Sequence, residues 1–206
     1  MCPDVKPQSK EEAMKKDIIL SGVGGQGILS IATVIGEAAT HAGVNLKQAE
    51  VHGMSQRGGD VHSNLRLSTE AIYSDLIPRG QADIIIAMEP MEALRYVPYL
   101  HAGGRVITSD EPFVNIPNYP DPQTITDALN RLPAVNTLPI ERLARANAMP
   151  KGANMILLGM AAPFIEIVSA EELRAAIGRV FAAKGESVVK KNCEAFDLGY
   201  NSTLEP

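Results

Sequence analysis

Gly22-Val23-Gly24-Gly25-Gln26-Gly27 follows the apolar run Ile18-Ile19-Leu20 and opens a helical pattern over residues 28–41. Strand, glycine-rich turn and helix in that order leave bare backbone amides at a helix N-terminus, where the partial positive charge of the helix favours an anion. The spacing fits G-x-G-x-x-G, whose glycines allow a tight turn, close approach of a phosphate and close packing of helix on strand. Glycines at such junctions also serve packing alone, so what the rest of the chain places beside the turn decides its role.

A second strand is expected over residues 44–51. After it the chain reads His52-Gly53-Met54-Ser55-Gln56-Arg57-Gly58-Gly59-Asp60, too polar and too glycine-rich for the interior of a strand or helix. In an open parallel sheet, loops at the carboxyl ends of neighbouring strands share one crevice, which puts this loop and the first turn at one site. Arg57, flanked by glycines, is the charged group there. Its guanidinium can hold a phosphate or carboxylate with two parallel hydrogen bonds.

The chain has 206 residues, 45% apolar and 21% charged, enough for a single α/β domain with a large core. Aromatic residues make up 4%, with no Trp, so aliphatic side chains build that core and base-stacking surface is scarce. A formal charge of −5 and the lack of any basic block argue against nucleic acid or an anionic membrane as partner. Cys2 and Cys193 are too few for an iron–sulfur cluster or a structural zinc site. Two distant cysteines and a charged N-terminal stretch without an apolar segment point to a cytoplasmic protein with neither signal peptide nor membrane span.

Elements alternate in βαβ fashion, which predicts a mainly parallel sheet. The first strand is expected at residues 17–21, a helix at 28–42, and an alternating, half-exposed strand at 61–67, placed at a sheet edge and antiparallel to the rest. Residues 84–88 read as a strand buried on both faces, 91–100 as a short helix and 105–108 as the next strand. Four prolines between residues 110 and 122 predict an extended surface excursion. A last strand at 134–138 and a helix at 140–148 follow. Residues 155–165 form a helix apolar all round, hence central or an interface element. Ser169-Ala170-Glu171-Glu172 has capping-box spacing and starts a helix to residue 183, and 187–198 reads as one more helix. Residues 201–206 read as a frayed tail.

His41 and His101 lie at helix ends, where a cation favours the C-terminal dipole. His52 and His62 flank the second glycine loop, with proton transfer, anion contact and structural hydrogen bonding all open to them. Asp60, Asn64 and Arg66 stand at the same loop or on its solvated rim. Neither a metal spacing nor a G-x-S-x-G elbow is present. Glu50, at the end of the second strand, stands where a dinucleotide fold places the acid that accepts ribose hydroxyls, which keeps an NAD-binding enzyme open as an alternative.

Gly24-Gly25-Gln26-Gly27, then His52-Gly53-Met54-Ser55-Gln56-Arg57-Gly58-Gly59, then Asn154-Met155-Ile156-Leu157-Leu158-Gly159 occur in that order. As a set they resemble the gamma-type domain of 2-oxoacid:ferredoxin oxidoreductases, and the Gly-Met-Ser-Gln-Arg-Gly-Gly wording is most similar to the beta subunits of its indolepyruvate branch. The resemblance spans about residues 16–200, which makes 16–200 the pyruvate/ketoisovalerate oxidoreductase gamma-type domain between tails at 1–15 and 201–206. It implies a single three-layer, Rossmann-like α/β domain with a mainly parallel sheet.

The resemblance further implies oxidative decarboxylation of a 2-oxoacid, with coenzyme A as co-substrate and ferredoxin as electron acceptor. It also implies a heteromeric enzyme in which thiamine diphosphate, Mg2+ and [4Fe-4S] clusters sit on a larger partner subunit, because neither the thiamine-diphosphate pattern nor cluster cysteines occur here. Carried over position by position, the binding candidates are Gly22, Gly24, Gly25, Gln26, Gly27, Gly53, Gln56, Gly58 and Gly59. Arg57 and His52 are the catalytic candidates, with Arg57 facing either a substrate carboxylate or a coenzyme phosphate. An aryl substrate such as indolepyruvate heads the list, with 2-oxoglutarate, pyruvate or 2-ketoisovalerate as alternatives. A pure interaction module whose glycine loops serve packing is the reading of another class. The composite enzyme predicts an apolar face left for the partner, in residues 155–165 or at the glycine loop.

Overall fold

The computed structural model describes residues 13–52 and 59–204. β1 (Lys15–Val23) leads through the glycine turn into α1 (Ile28–His41), followed by β2 (Asn45–His52) and β3 (Asp60–Ser68). Next come β4 (Ala82–Ala87), α2 (Pro90–Tyr96), β5 (Leu100–Ser109), α3 (Pro122–Asn130) and β6 (Val135–Leu138). Four helices follow: α4 (Ile140–Ala146), α5 (Ala153–Ile165), α6 (Ala170–Phe181) and α7 (Glu186–Leu204).

The sheet order is β2-β3-β1-β4-β5-β6. β1, β4, β5 and β6 run parallel, and β3 runs antiparallel to both of its neighbours. Alternate residues of each strand serve opposite layers. Ile18, Leu20, Ile84, Ile86 and Ile107 pack with α1 and α4 to α7 on one face. Ile19, Ile85 and Val106 pack with α2 and α3 on the other. The result is a three-layer α/β domain, as the family resemblance implies, with the mainly parallel sheet that the βαβ rhythm predicts.

Four elements differ from the sequence expectation. The alternating segment 61–67 is not an edge strand: β3 lies inside the sheet, and β2 and β6 are the edges. Its polar residues tolerate burial because each has a partner. Gln48 Nε2 donates to Ser63 Oγ at 3.2 Å, Ile77 N donates to Asn64 Oδ1 at 3.3 Å, and Arg66 forks onto the buried Asp17 at 2.8 and 3.1 Å. After the proline-rich excursion, Pro122 itself opens α3, because its missing N–H is not needed in a first turn. Asp121 caps that turn by accepting from Gln123 N at 2.8 Å. Residues 201–204 are the last turn of α7 rather than a frayed tail, and Ser202 and Thr203 hydroxyls donate back to the carbonyls of Leu198 and Gly199.

The fourth difference concerns α5, read as either central or an interface element, whose apolar face the composite-enzyme reading left for a partner. Met155, Ile156, Leu157, Leu158 and Ala161 have no exposed surface, so this helix is central and its apolar face is used up within the chain. α7 crosses it where Gly159 faces Gly199. A Cβ on Gly159 would collide with the Phe196 carbonyl, and one on Gly199 with the Ile156 carbonyl. Backbone on both sides cannot yield as a side chain would. Gly199→Ala should therefore lower stability by about 1–3 kcal/mol, the scale of overpacking, and reduce the thermal midpoint by roughly 2–4 °C for each kcal/mol. Gly178→Ala, in α6 with open space around the added methyl, should raise the midpoint slightly through helix propensity. Equal shifts for the two variants in a thermal melt would contradict the close-packing account.

Candidate functional site

α1 leaves β1 toward one face of the sheet and α2 leaves β4 toward the other, which opens a crevice outside the carboxyl ends of these adjacent strands. The glycine turn forms its floor. Gln26 N donates to Val23 O at 3.1 Å, and Gln26 Oε1 accepts from Val23 N at 2.7 Å, so the glutamine side chain braces the turn from inside. Gly25 and Gly27 have φ of 101° and 87°, left-handed conformations that side chains disfavour. At Gly27 space is denied as well: a Cβ would lie 2.6 Å from Asn154 Nδ2, which donates to Gly27 O at 3.2 Å. The first residues of α5 thereby lock the turn from behind.

The second glycine segment reaches the same place by a different route from the one its sequence suggests. β2 is not a neighbour of β1, because β3 lies between them. The return strand makes the contact instead: Gly24 N donates to Gly59 O at 2.9 Å. Gly22, Gly24, Gly25, Gln26, Gly27 and Gly59 are thus brought together. His52 ends β2 and pairs with Val61 in the ladder. Its side chain, together with Gly53, Gln56, Arg57 and Gly58, lies outside the described residues.

On one side of the turn a cleft of about 440 Å³ is lined by Val23, Gly24, Gly25, Gly27, Ile28 and Val61, among others. On the other a cleft of about 520 Å³ runs between Gly24, Gly25 and Gln26 and the wall formed by Met88, Phe113 and Arg145. That wall is fixed by Glu89, which is fully buried. Its carboxylate accepts from Glu92 N at 2.8 Å as the cap of α2, and also from the Tyr119 hydroxyl and from Phe113 N, so the proline-rich excursion is tied to the crevice. Burial beside Glu89 pushes the Tyr119 hydroxyl well above its usual range.

A polar network invisible in the sequence lies beneath the junction of the two glycine segments. The Tyr96 hydroxyl is 3.0 Å from Asp60 Oδ2 and 2.7 Å from His62 Nδ1. Glu92 takes Arg95 in a two-point pair at 2.9 and 3.1 Å. Burial raises the Glu92 carboxyl, an effect that Arg95 opposes, and lowers His62, which Asp60 opposes. Asn154, Glu92 and Tyr96 are the site residues that sequence reasoning did not assign, although Asn154 opens the third motif. The remaining candidates are structural: His41 pairs with Glu172 at 3.1 Å, and His101 bridges Asp83 at 3.2 Å and Gly103 N at 2.9 Å. Asn64 and Arg66 are absorbed in β3 and do not line the crevice.

Glu50 does not fit the dinucleotide reading. One whole strand separates β2 from β1, so Glu50 stands about 5 Å further from the turn than a neighbouring strand would place it, given a strand spacing of about 4.8 Å, and its carboxylate accepts from Gln48 Nε2. An iron–sulfur cluster held by four cysteines does not fit either. The chain has two cysteines, and no set of three potential metal ligands is gathered among the described residues.

The family model for pyruvate ferredoxin/flavodoxin oxidoreductases matches residues 17–202. The chain belongs to this family. Indolepyruvate oxidoreductase subunit IorB of Archaeoglobus fulgidus is 32% identical over 199 residues, 93% of this chain and 96% of the relative. The subunit of the same name from Pyrococcus horikoshii is 35% identical over 198 residues, 92% and 96% of the two chains. Among solved structures, the gamma subunit of a keto/oxoacid ferredoxin oxidoreductase from Geobacter sulfurreducens superposes with a TM-score of 0.66 at 25% identity, covering 93% of this chain and 99% of that one. The family resemblance of the three motifs thus extends along the described domain, and the relatives are subunits of multisubunit enzymes. No helix of the described residues is long and apolar enough to cross a membrane.

The network gives this family member a defined acid sensitivity. Because burial holds His62 below its usual 6.5, the unfolded chain binds the proton more tightly. The associated stability is complete above pH 6.5 and is lost as pH falls through that value toward the folded pKa. Glu92 has the opposite sign, since its raised carboxyl favours the fold at low pH; it acts equally in both proteins compared. The thermal midpoint of the wild type should fall more steeply between about pH 7 and 5 than that of His62→Asn, whose amide can still meet the Tyr96 hydroxyl. Parallel slopes would show that His62 carries no such linkage.

Proposed function

We propose that this chain is the small subunit of a cytoplasmic 2-oxoacid:ferredoxin oxidoreductase that oxidatively decarboxylates an aryl 2-oxoacid such as indolepyruvate. Coenzyme A takes the acyl group and ferredoxin takes the electrons. The observation that carries this reading is the end-to-end match to two indolepyruvate oxidoreductase subunits above 30% identity. Its physical counterpart is a crevice floored by glycine amides at the positive end of α1, suited to a phosphate or carboxylate. Arg57, two residues before Gly59 in sequence, adds the one guanidinium of the motif and His52 a proton carrier or anion donor.

Thiamine diphosphate, Mg2+ and [4Fe-4S] clusters belong to a larger partner subunit, a reading supported by the two cysteines of this chain and the lack of a thiamine-diphosphate pattern in its sequence. What the chain contributes is binding and orientation. Amides preorganised by Gln26 and Asn154 hold an anionic group without rearranging, which favours a fixed pose at a composite active site. Nicotinamide chemistry is disfavoured by the position of Glu50, and a packing-only role by the exposure of the amide floor to two clefts.

Co-expression with the thiamine-diphosphate-bearing subunit should give a complex that reduces ferredoxin or a dye with indolepyruvate or phenylpyruvate in preference to 2-oxoglutarate, pyruvate or 2-ketoisovalerate. The isolated chain should be inactive. In that complex Arg57→Ala should lower kcat/KM by about tenfold or more, the effect of one lost charged contact. Full activity of the lone chain, or an Arg57→Ala complex with unaltered kinetics, would contradict the proposal. Preference for a dicarboxylic substrate would move the chain to another branch of the family.

A further inference from the structure

Tyr96 closes α2 on the sheet face opposite α1 and is 6% exposed. Its ring rests against His62 at 4.8 Å and Tyr99 at 6.0 Å between centroids. Phenylalanine would satisfy these contacts equally well, so the buried hydroxyl needs its own account. The Tyr96 O–H donates to Asp60 at 3.0 Å, and with its single proton spent there the Tyr96 oxygen accepts from His62 Nδ1–H at 2.7 Å. One hydroxyl therefore ties two residues of β3 to α2. α2 is itself anchored to β1, because Ser21 Oγ donates to Glu92 O at 3.3 Å.

Asp60 directly follows Gly59, whose carbonyl accepts from Gly24 N at 2.9 Å. The route from the Tyr96 oxygen to the crevice floor is therefore one hydrogen bond, one residue step and a second hydrogen bond. Burial pushes the Tyr96 hydroxyl well above its usual range and His62 below its own, which favours this pattern of donors and acceptors at neutral pH. Buried networks of this kind hold a single geometry when every member is satisfied.

We infer that Tyr96 is a positioning residue: by holding Asp60 it fixes the Gly59 carbonyl and, through it, the Gly24 amide and the shape of the glycine turn in the crevice. The consequence for ligand binding rests on the functional reading proposed above; the geometric part does not. Tyr96→Phe removes one oxygen and keeps the ring.

In the full-length chain, hydrogen exchange at the Gly24 amide should quicken by at least about tenfold in Tyr96→Phe, while Ile85 and Ile86 in the central strand stay within about twofold of wild type. Asp60→Ala should reproduce the effect, the double variant should add nothing further, and Asp60→Asn, which keeps an acceptor for the hydroxyl, should exchange as the wild type does. In the assembled complex, Tyr96→Phe should raise KM for coenzyme A about five- to tenfold with kcat within about twofold, the pattern of lost uniform binding. Unchanged Gly24 exchange, or a double variant that sums the two single effects, overturns the inference and leaves Tyr96 as a pin for α2. If the wild-type complex oxidises no 2-oxoacid, the functional reading fails on its own, and Gly24 exchange still decides what Tyr96 does.

Discussion

The reversal of β3 between β1 and β2 is the constraint on which the rest of the structure depends. In an ordinary doubly wound sheet β2 would lie beside β1, and its acidic end would reach a nucleotide ribose. Here the antiparallel strand takes that place. It carries Gly59 to the glycine turn, where the carbonyl meets the Gly24 amide, and it carries Asp60 and His62 over Tyr96. One change in strand order therefore removes the dinucleotide geometry and creates the contact between the two glycine segments.

The turn is held from three directions. Gln26 braces it from inside, Asn154 from the start of α5, and Gly59 from β3. Such redundancy suits a site that must present backbone amides in a fixed array, because amides that do not reorganise when an anion arrives cost little on binding. The same logic explains the packing of α5. Its apolar surface is spent within the chain, with Gly159 and Gly199 letting α7 approach closely, and that buried layer fixes Asn154 relative to the turn.

Much of this was legible in the residues. The apolar strand, glycine turn and helix from Ile18 to His41 announce their own conformations, Ile84 to Ile86 announce a central strand, and Ser169 caps α6 by accepting from Glu172 N at 3.1 Å. Segment 61–67 misled because polar alternation signals a wet face only when the polar groups lack partners. Ser63, Asn64 and Arg66 find theirs in Gln48, Ile77 and Asp17, none of which the local pattern reveals. Tyr96 and Glu92 escaped notice for a related reason. Their importance comes from meeting Asp60, His62 and Ser21 across the sheet, and nothing in the wording of α2 records that encounter.

The central claim is that the amide floor between β1 and α1 holds an anionic group in the assembled enzyme. Crystals of the complex soaked with coenzyme A test it most directly. The account predicts phosphate density within hydrogen-bond reach of the amides of Gly25 and Gly27, since those of Gly24 and Gln26 donate to Gly59 O and Val23 O. Well-defined coenzyme bound elsewhere in the complex, with the turn facing only solvent or packed protein, would contradict it.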